Sequence, residues 1–411
     1  MQHPKRIGIL GTMDTRGDEV AFLKRTIEDM GHRAVVIDLG VLGTPYEAGE
    51  INREEVATAG GRTLQELQRA AAAGADRSDA TRVMVGGAKK LVAALVEKRE
   101  IDAALGLGGS TAAASYTEIV RNLPIGFPKL LVTTFAHLAP IGNCDITVMQ
   151  SPVDLIGMNK IVERVLAQAA LAIIGMAQVE IHASGSKTLV GITALGVTTP
   201  AVQKIISRLT QSGIDSVVFH ATTARLNQMI EAGLIDAVID LTTNECVALA
   251  TCSDEQLKIL SPDAPLSRER LPALSRTRIP WIVVPGGLDM HIVVTPSGIA
   301  GIPQPLQGRV SSQHGSNIML VRTNEADMRA VASLLAGQVA LTPQSKVVIP
   351  LRGFSAVDVI GGVFYMPDIN REFIERLKSA LAPRLVVEVN SHINDDDFSD
   401  VIIAELKKLM Q

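Results

Sequence analysis

The sequence predicts an α/β protein of two Rossmann-like domains in tandem, each built on a doubly wound, mostly parallel sheet. Three observations carry that expectation. Residues 6–40 (RIGILGTMDTRGDEVAFLKRTIEDMGHRAVVIDLG) and 189–222 (LVGITALGVTTPAVQKIISRLTQSGIDSVVFHAT) share one layout: strand, small-residue turn, helix, Gly, Val-Val strand. Further short, unbroken apolar runs suit strands covered by helices on both faces. At 411 residues the chain is also too long for one ordinary core and suits two domains of roughly 200 residues each.

Each element has its own signal. Val20, Leu23, Ile27 and Met30 fall at helical spacing in the first repeat, as do Val202, Ile205, Ile206 and Leu209 in the second. Gly31 and Gly213 then fit the left-handed position just past a helix end, each four residues before a Val-Val pair. The runs DAALGLGG (102–109), PKLLVTT (128–134), DAVIDLTT (236–243), PWIVVPGG (280–287) and KVVIPLRG (346–353) supply more strands. A helix over about 154–176 closes the first half, with Leu155, Met158, Ile161, Val162, Val165 and Ala169 on one face. The polar stretch QVEIHASGSKT then places a boundary near residue 184, giving domains of 1–184 and 185–411.

Composition removes several function classes. A net charge of -4 without a Lys/Arg block argues against nucleic acid, and one Trp, three Tyr and eight Phe give no base-stacking platform. Cys144, Cys246 and Cys252 are odd in number and lack CxxC spacing, which disfavours a disulfide framework or structural zinc; Cys144 and Cys246 read as small buried residues. Neither a signal core nor a membrane-length apolar run is visible, so the expectation is a cytoplasmic protein without membrane contact.

In parallel sheets ligands collect beyond the carboxyl ends of strands, where helix N-termini offer free N–H groups. Four turns qualify. In GTMDTRGDE (11–19) Asp14 or Thr15 can cap a helix, and Thr15 with Asp18 resembles a capping box; Thr12 and Arg16 are left for a ligand, though Asp18 and Glu19 oppose a phosphate at that helix end. In GLGGSTAAAS (106–115), Gly106, Gly108 and Gly109 permit close backbone approach and Ser110 and Thr111 add hydroxyls, while tight helix–sheet packing explains the glycines equally well. In GVTTPAVQ (196–203) Thr199 caps ahead of Pro200, and Thr198 and Thr199 are candidate ligand contacts. The fourth candidate joins His220 and Thr222, ending one strand, to Asp240 and Thr242, ending the next, on the expectation that the two strands are neighbours.

GTMDTRGDE, GLGGS, LPIGFPKLLVTT, DITVMQSPVDLIGMN, GVTTPAV, VFHAT, GGLDM and HIND, in that order, resemble the uncharacterised bacterial protein family that includes the N-terminal ATP-binding domain of the tomato mosaic virus resistance protein. The likeness spans nearly the whole chain. It implies two Rossmann-like subdomains, a homo-oligomer, nucleotide at glycine-rich turns, and a phosphoenolpyruvate-hydrolase-like barrel protein as partner. This chain departs from the family pattern in its second half. Thr223, Ala224, Arg225 and Leu226 replace a glycine-bearing turn, residues 242–257 lack a further Gly-Gly, and HIVVTPSG (291–298) replaces an Asn-Phe-Gly turn.

The function expected is therefore a nucleotide- or small-anion-binding protein with its ligand in a cleft between the two domains. Two alternatives stand beside it: an enzyme on a small anionic metabolite working with the barrel protein, and an oligomeric subunit whose nucleotide site has decayed. ATP and Mg²⁺ are the candidate cofactors. Thr12, Asp14, Thr15, Arg16, Gly108, Gly109, Ser110, Thr198, Thr199 and Thr222 are the candidate ligand contacts, and His220, Asp240 and Glu245 the candidate catalytic groups. Asp14, Asp240, Glu245 and Asp289 suit Mg²⁺, and His314 and His392 join His220 as proton-transfer groups.

Overall fold

In the computed structural model, which describes residues 3–74, 77–142, 144–179, 187–220, 223–260, 268–295 and 297–411, the expected α/β architecture is present. The chain divides into two compact units, Met1–His182 and Ala183–Gln411. The boundary expected near residue 184 lies outside the described residues.

Unit 1 runs β1 (Arg6–Gly11), α1 (Gly17–Asp29), β2 (Arg33–Asp38), α2 (Arg53–Ala59), α3 (Leu64–Ala72), α4 (Arg77–Glu97), β3 (Ala103–Gly108), α5 (Ser110–Val120), β4 (Lys129–Thr133), β5 (Thr147–Gln150) and α6 (Lys160–Ala177). Its five strands are parallel in the order β2-β1-β3-β4-β5. Alternate strand residues face opposite ways, so the sheet feeds two cores. Ile7, Ile9 and Val36 pack with Val20, Leu23 and Ile27 of α1 and with α6, whereas Leu10, Val35 and Ile37 pack with α2, α3, α4 and α5.

Unit 2 runs β6 (Leu189–Ala194), α7 (Thr199–Gln211), β7 (Asp215–His220), α8 (Thr223–Glu231), β8 (Ala237–Thr242), α9 (Glu245–Thr251), α10 (Asp254–Leu260), α11 (Ala273–Arg276), β9 (Trp281–Gly286), β10 (Met290–Val294), β11 (Ser311–Gln313), β12 (Ile318–Arg322), α12 (Glu325–Leu341), β13 (Ser345–Pro350), α13 (Pro367–Ala380), β14 (Val386–Val389) and α14 (Asp396–Leu409). The main sheet is again parallel, in the order β14-β13-β9-β8-β6-β7. One core lies under α7 and α14, the other under α8, α9, α11, α12 and α13.

Gly31 and Gly213 adopt φ of +81° and +72°, as their place after α1 and α7 requires. Two expectations need correction. The helix expected from about 154 starts at Lys160, because Asn159 accepts the N–H groups of Ile161 and Val162 and so fixes the first turn there. Leu155 is buried against the same core from an irregular segment, which is why the apolar spacing ran on too far. The second correction is a three-stranded antiparallel sheet, β10-β12-β11, which was not among the expected strands although IMLV (318–321) is an apolar run. Its strands alternate: Met290 and Leu320 pack with Phe364, whereas Val293, Met319 and Val321 pack with Ile302.

Gly106 shows what positions α5 against the sheet. A Cβ there would lie 2.2 Å from the ring of buried Tyr116, whose hydroxyl donates to the Ala104 carbonyl at 2.7 Å. Replacing Gly106 by Ala is therefore expected to destabilise the protein by about 1–3 kcal/mol in urea unfolding. Gly175 is exposed in α6, and a Cβ there would meet nothing within 4 Å, which gives the opposite sign: Gly175→Ala stabilises by about 0.5–1 kcal/mol. Equal effects at the two positions would contradict the close packing of α5.

Candidate functional site

At the C-terminal edge of unit 1, β1 and β3 are neighbours, yet the chain leaves β1 for the α1 face and β3 for the α5 face. Such a switch point leaves a crevice beyond the strand ends. Here it is a cleft of about 1310 Å³. Thr12, Asp14, Thr15 and Arg16 line it from the turn after β1, residues 39–43 from the loop after β2, and Thr111, Ala114 and Ser115 from α5. Leu67 and Ala71 of α3, Asp79, Arg82, Val85 and Lys89 of α4, and Glu118 of α5 also line it.

The turn after β1 does not cap α1 as expected. Arg16 holds the cap position without a side-chain bond, and the Thr12 and Thr15 hydroxyls meet each other at 2.5 Å. Asp14 turns the other way: one carboxylate oxygen accepts the N–H groups of Val41, Leu42 and Gly43, each at 3.2 Å. The loop comes this close because of its glycines, since a Cβ on Gly40 would sit 2.9 Å from the Asp14 carboxyl carbon. Asp38, at the end of β2, accepts from the N–H groups of Met13 at 3.0 Å and Gly40 at 2.8 Å. Burial holds the Asp38 carboxyl above its ordinary pKa, while those two bonds oppose the shift.

Two helices point their N-termini at this edge, and they differ in charge. The first turn of α1 carries Asp18 and Glu19, and Glu19 accepts the Gly157 N–H at 2.7 Å. The first turn of α5 carries no acid, and its cap residue, Gly109, supplies no side chain to occupy the free N–H groups. Gly109 also has open space around it, unlike Gly106 and Gly108, whose missing Cβ atoms would strike Tyr116 and Ala112. Ser110 and Thr111 open the helix and are exposed. An anion is therefore favoured at α5 and disfavoured at α1. Arg16 is 16% exposed and lies 3.5 Å from Asp154; Lys89 is bonded to Glu118 at 2.7 Å, and Arg82 to Asp79. Sequence reasoning missed Arg82, Lys89 and the 39–43 loop. The loop had a visible signal in LGVLG after an acid-ended strand, whereas the α4 cations had none.

Unit 2 has the equivalent switch point between β6 and β8, and side chains fill it. The Thr198 and Thr242 hydroxyls meet at 2.7 Å, and Thr193 donates to Asp240 at 2.7 Å. Arg270 donates to both Asp240 oxygens at 2.6 and 2.7 Å, to Glu245 at 2.8 Å and to the Thr242 carbonyl at 2.9 Å. Thr223 donates to Glu245 at 2.6 Å. Asp240 and Arg270 are fully buried. Burial works against the Arg270 charge, yet Asp240, Cys246 and Glu245 raise its pKa overall. Arg270 was not a sequence candidate, because it joins Asp240 from 30 residues downstream.

The other candidates are dispersed. His220 ends β7 and is exposed. The expectation that its strand adjoins that of Asp240 is corrected, because β6 lies between β7 and β8. Thr222 lies outside the described residues. Thr199 is the first residue of α7 rather than its cap; Thr198 holds that position, so Pro200 is the second helical residue rather than the first. Asn394 and Asp395 do not cap α14 with their side chains: Asn394 accepts the Ala201 N–H of α7 at 3.2 Å, and Asp395 accepts the His392 N–H at 2.8 Å. The His392 ring bonds the Ser355 carbonyl at 2.9 Å, and His314 is exposed. Among the described residues no group of three or more His, Cys, Asp or Glu side chains is placed to hold a metal ion. No helix among them is long and apolar enough to cross a membrane. Cys246 is buried, and its thiol is pushed up to about 12, so it is not a poised nucleophile.

Residues 5–182 match the N-terminal domain, and residues 187–410 the C-terminal domain, of the Uncharacterised protein family (UPF0261). A UPF0261 protein of Clostridium tetani is 34% identical over 419 residues, covering 99% of both chains. One from Mesorhizobium japonicum is 32% identical and covers 98% of both. The ToMV resistance protein Tm-1 of Solanum lycopersicum is 29% identical over 323 residues, which is 75% of this chain and 41% of that protein.

Asp289 gives unit 2 a distinct pH response. It is fully buried, accepts from the Ser355 hydroxyl at 2.7 Å through one oxygen, and has no partner on the other among the described residues. Burial, then repulsion by Asp358, push its carboxyl up from 3.8 to about 7. The folded state then holds a proton that the unfolded state has released, so stability is fully present below the unfolded value of 3.8 and declines as pH rises to about 7. Denaturation midpoints between pH 4 and 8 should fall accordingly, and Asp289→Asn should flatten that slope. An unchanged slope in the variant would assign the pH dependence elsewhere.

Proposed function

This chain belongs to the UPF0261 family, both of whose domains it carries in order, and on that premise we propose that unit 1 binds a phosphate-bearing small molecule, with ATP or ADP as the first candidates. The phosphate sits at the start of α5, where Gly109 leaves the backbone open and Ser110 and Thr111 add hydroxyls, and the rest of the ligand lies in the switch-point cleft. One observation carries the reading. The α5 N-terminus is uncapped and free of acids, and its second residue lines a cleft of about 1310 Å³.

Arg16, Arg82 and Lys89 stand in the cleft wall, but each is paired with an acid (Asp154, Asp79 and Glu118), so the attraction for an anion comes from the open α5 start. Among the described residues of unit 2, the start of α7 is also free of acids, but Asn394 accepts its Ala201 N–H. Thr198 is fully buried there against Thr242, and Arg270 directs four hydrogen bonds to Asp240, Glu245 and Thr242. Glycine-free residues 223–226 are built into α8, with Thr223 and Leu226 buried, so they belong to the fold of unit 2. Asp240 and Glu245 are then ion-pair partners that shape the core; Mg²⁺ enters this reading with the nucleotide phosphates rather than through a preformed acidic cage.

Calorimetric titration with ATP and ADP, with and without Mg²⁺, is the test, run in parallel on Ser110→Glu. A carboxylate in the first turn of α5 favours the helix dipole and leaves the thermal midpoint equal or higher. The same carboxylate repels a phosphate at that position, so the affinity should fall at least about tenfold, or 1.4 kcal/mol. Binding that is unchanged in Ser110→Glu places the phosphate elsewhere, and absence of heat with every nucleotide ends the nucleotide reading.

A further inference from the structure

Where β1, β3, α4 and α5 converge, a narrower annex of about 120 Å³ adjoins the cleft and shares Thr12, Val85 and Ser115 with it. Leu10, Leu39, Val41, Val85 and Leu107 give it an aliphatic lining, beside the threonines and the serine that also line it. Tyr116 presents only its ring, because its hydroxyl is bonded to the Ala104 carbonyl. An apolar cavity of about 150 Å³ takes a benzene molecule, so this annex suits a group of roughly four carbon atoms.

The annex also lies close to the proposed anion position. Thr111, Ala112 and Ser115 line it and fall in the first six residues of α5, within about 8 Å of the helix start at 1.5 Å per residue. A ligand filling both places must join its charged group to its apolar group through only a few bonds. We infer that the cleft binds a compact amphipathic anion, a phosphate or carboxylate on an aliphatic chain of about four carbons, with the chain in the annex. This rests on the reading that an anion binds at α5. Such a molecule and a nucleotide phosphate would both place their charge at the α5 start, so the two compete for it.

Titration of the full chain with ethyl, butyl and octyl phosphate, and with acetate, butyrate and octanoate, tests it. Each buried methylene strengthens binding roughly fourfold, so the four-carbon member should bind roughly fifteenfold tighter than the two-carbon one, and the eight-carbon member no tighter than that. Whichever series binds more tightly identifies the head group, and the rise must appear in that series. Val85→Phe fills the annex and should abolish the rise while the two-carbon anion still binds; Ser115→Leu serves if that variant does not fold. Affinity independent of chain length, with ATP still bound, overturns this inference alone, as does a rise that survives both substitutions. Failure of ATP and of every anion to bind overturns the reading of the site as well.

Discussion

The cleft of unit 1 keeps its shape because two carboxylates gather backbone N–H groups from both sides of it. Asp38 joins the turn after β1 to the loop after β2 by accepting from Met13 and Gly40, and Asp14 returns from that turn to take three N–H groups of the same loop. Met13, Gly40 and Val41 are buried or half-buried, so their N–H groups need acceptors, and here the acceptors are supplied by residues at the strand ends. The 39–43 loop is thereby folded against the β1 turn, and α5 is left as the neighbouring element with free N–H groups.

Unit 2 meets the same topological problem with side chains. Its β6–β8 switch point is occupied by Thr193, Thr198, Thr242, Asp240 and Arg270, in a network whose geometry satisfies both buried charges. The two units thus share a sheet order at the switch point and differ in what stands there. Where glycine exposes backbone, a ligand has access to it; where threonine and a buried ion pair stand, the position is filled by the fold. This difference is why the proposed function is assigned to unit 1 rather than divided between the units.

Much of the fold was legible in the sequence, because parallel strands buried on both faces read as unbroken apolar runs and the two βαβ openings repeat. The β10-β12-β11 sheet was not, since its short strands pair antiparallel and lie outside the repeated βαβ layout. The unit 1 site was partly legible: Thr12, Asp14, Thr15 and Arg16 do line one cleft with Thr111, but the partner of Asp14 is a loop 27–29 residues away. Capping signals misled for a physical reason. Asp14 is a competent cap, yet its partner is that distant loop, which local spacing does not reveal. Arg270 was illegible for the same cause, because an ion pair across 30 residues leaves no periodic trace.

Amide hydrogen exchange of the intact chain, free and with saturating ADP, locates the ligand without presuming its chemistry. The account predicts slowed exchange at residues 110–112 and 41–43, with no comparable change at residues 196–199 and 242–245. Protection confined to residues 187–411 would contradict it.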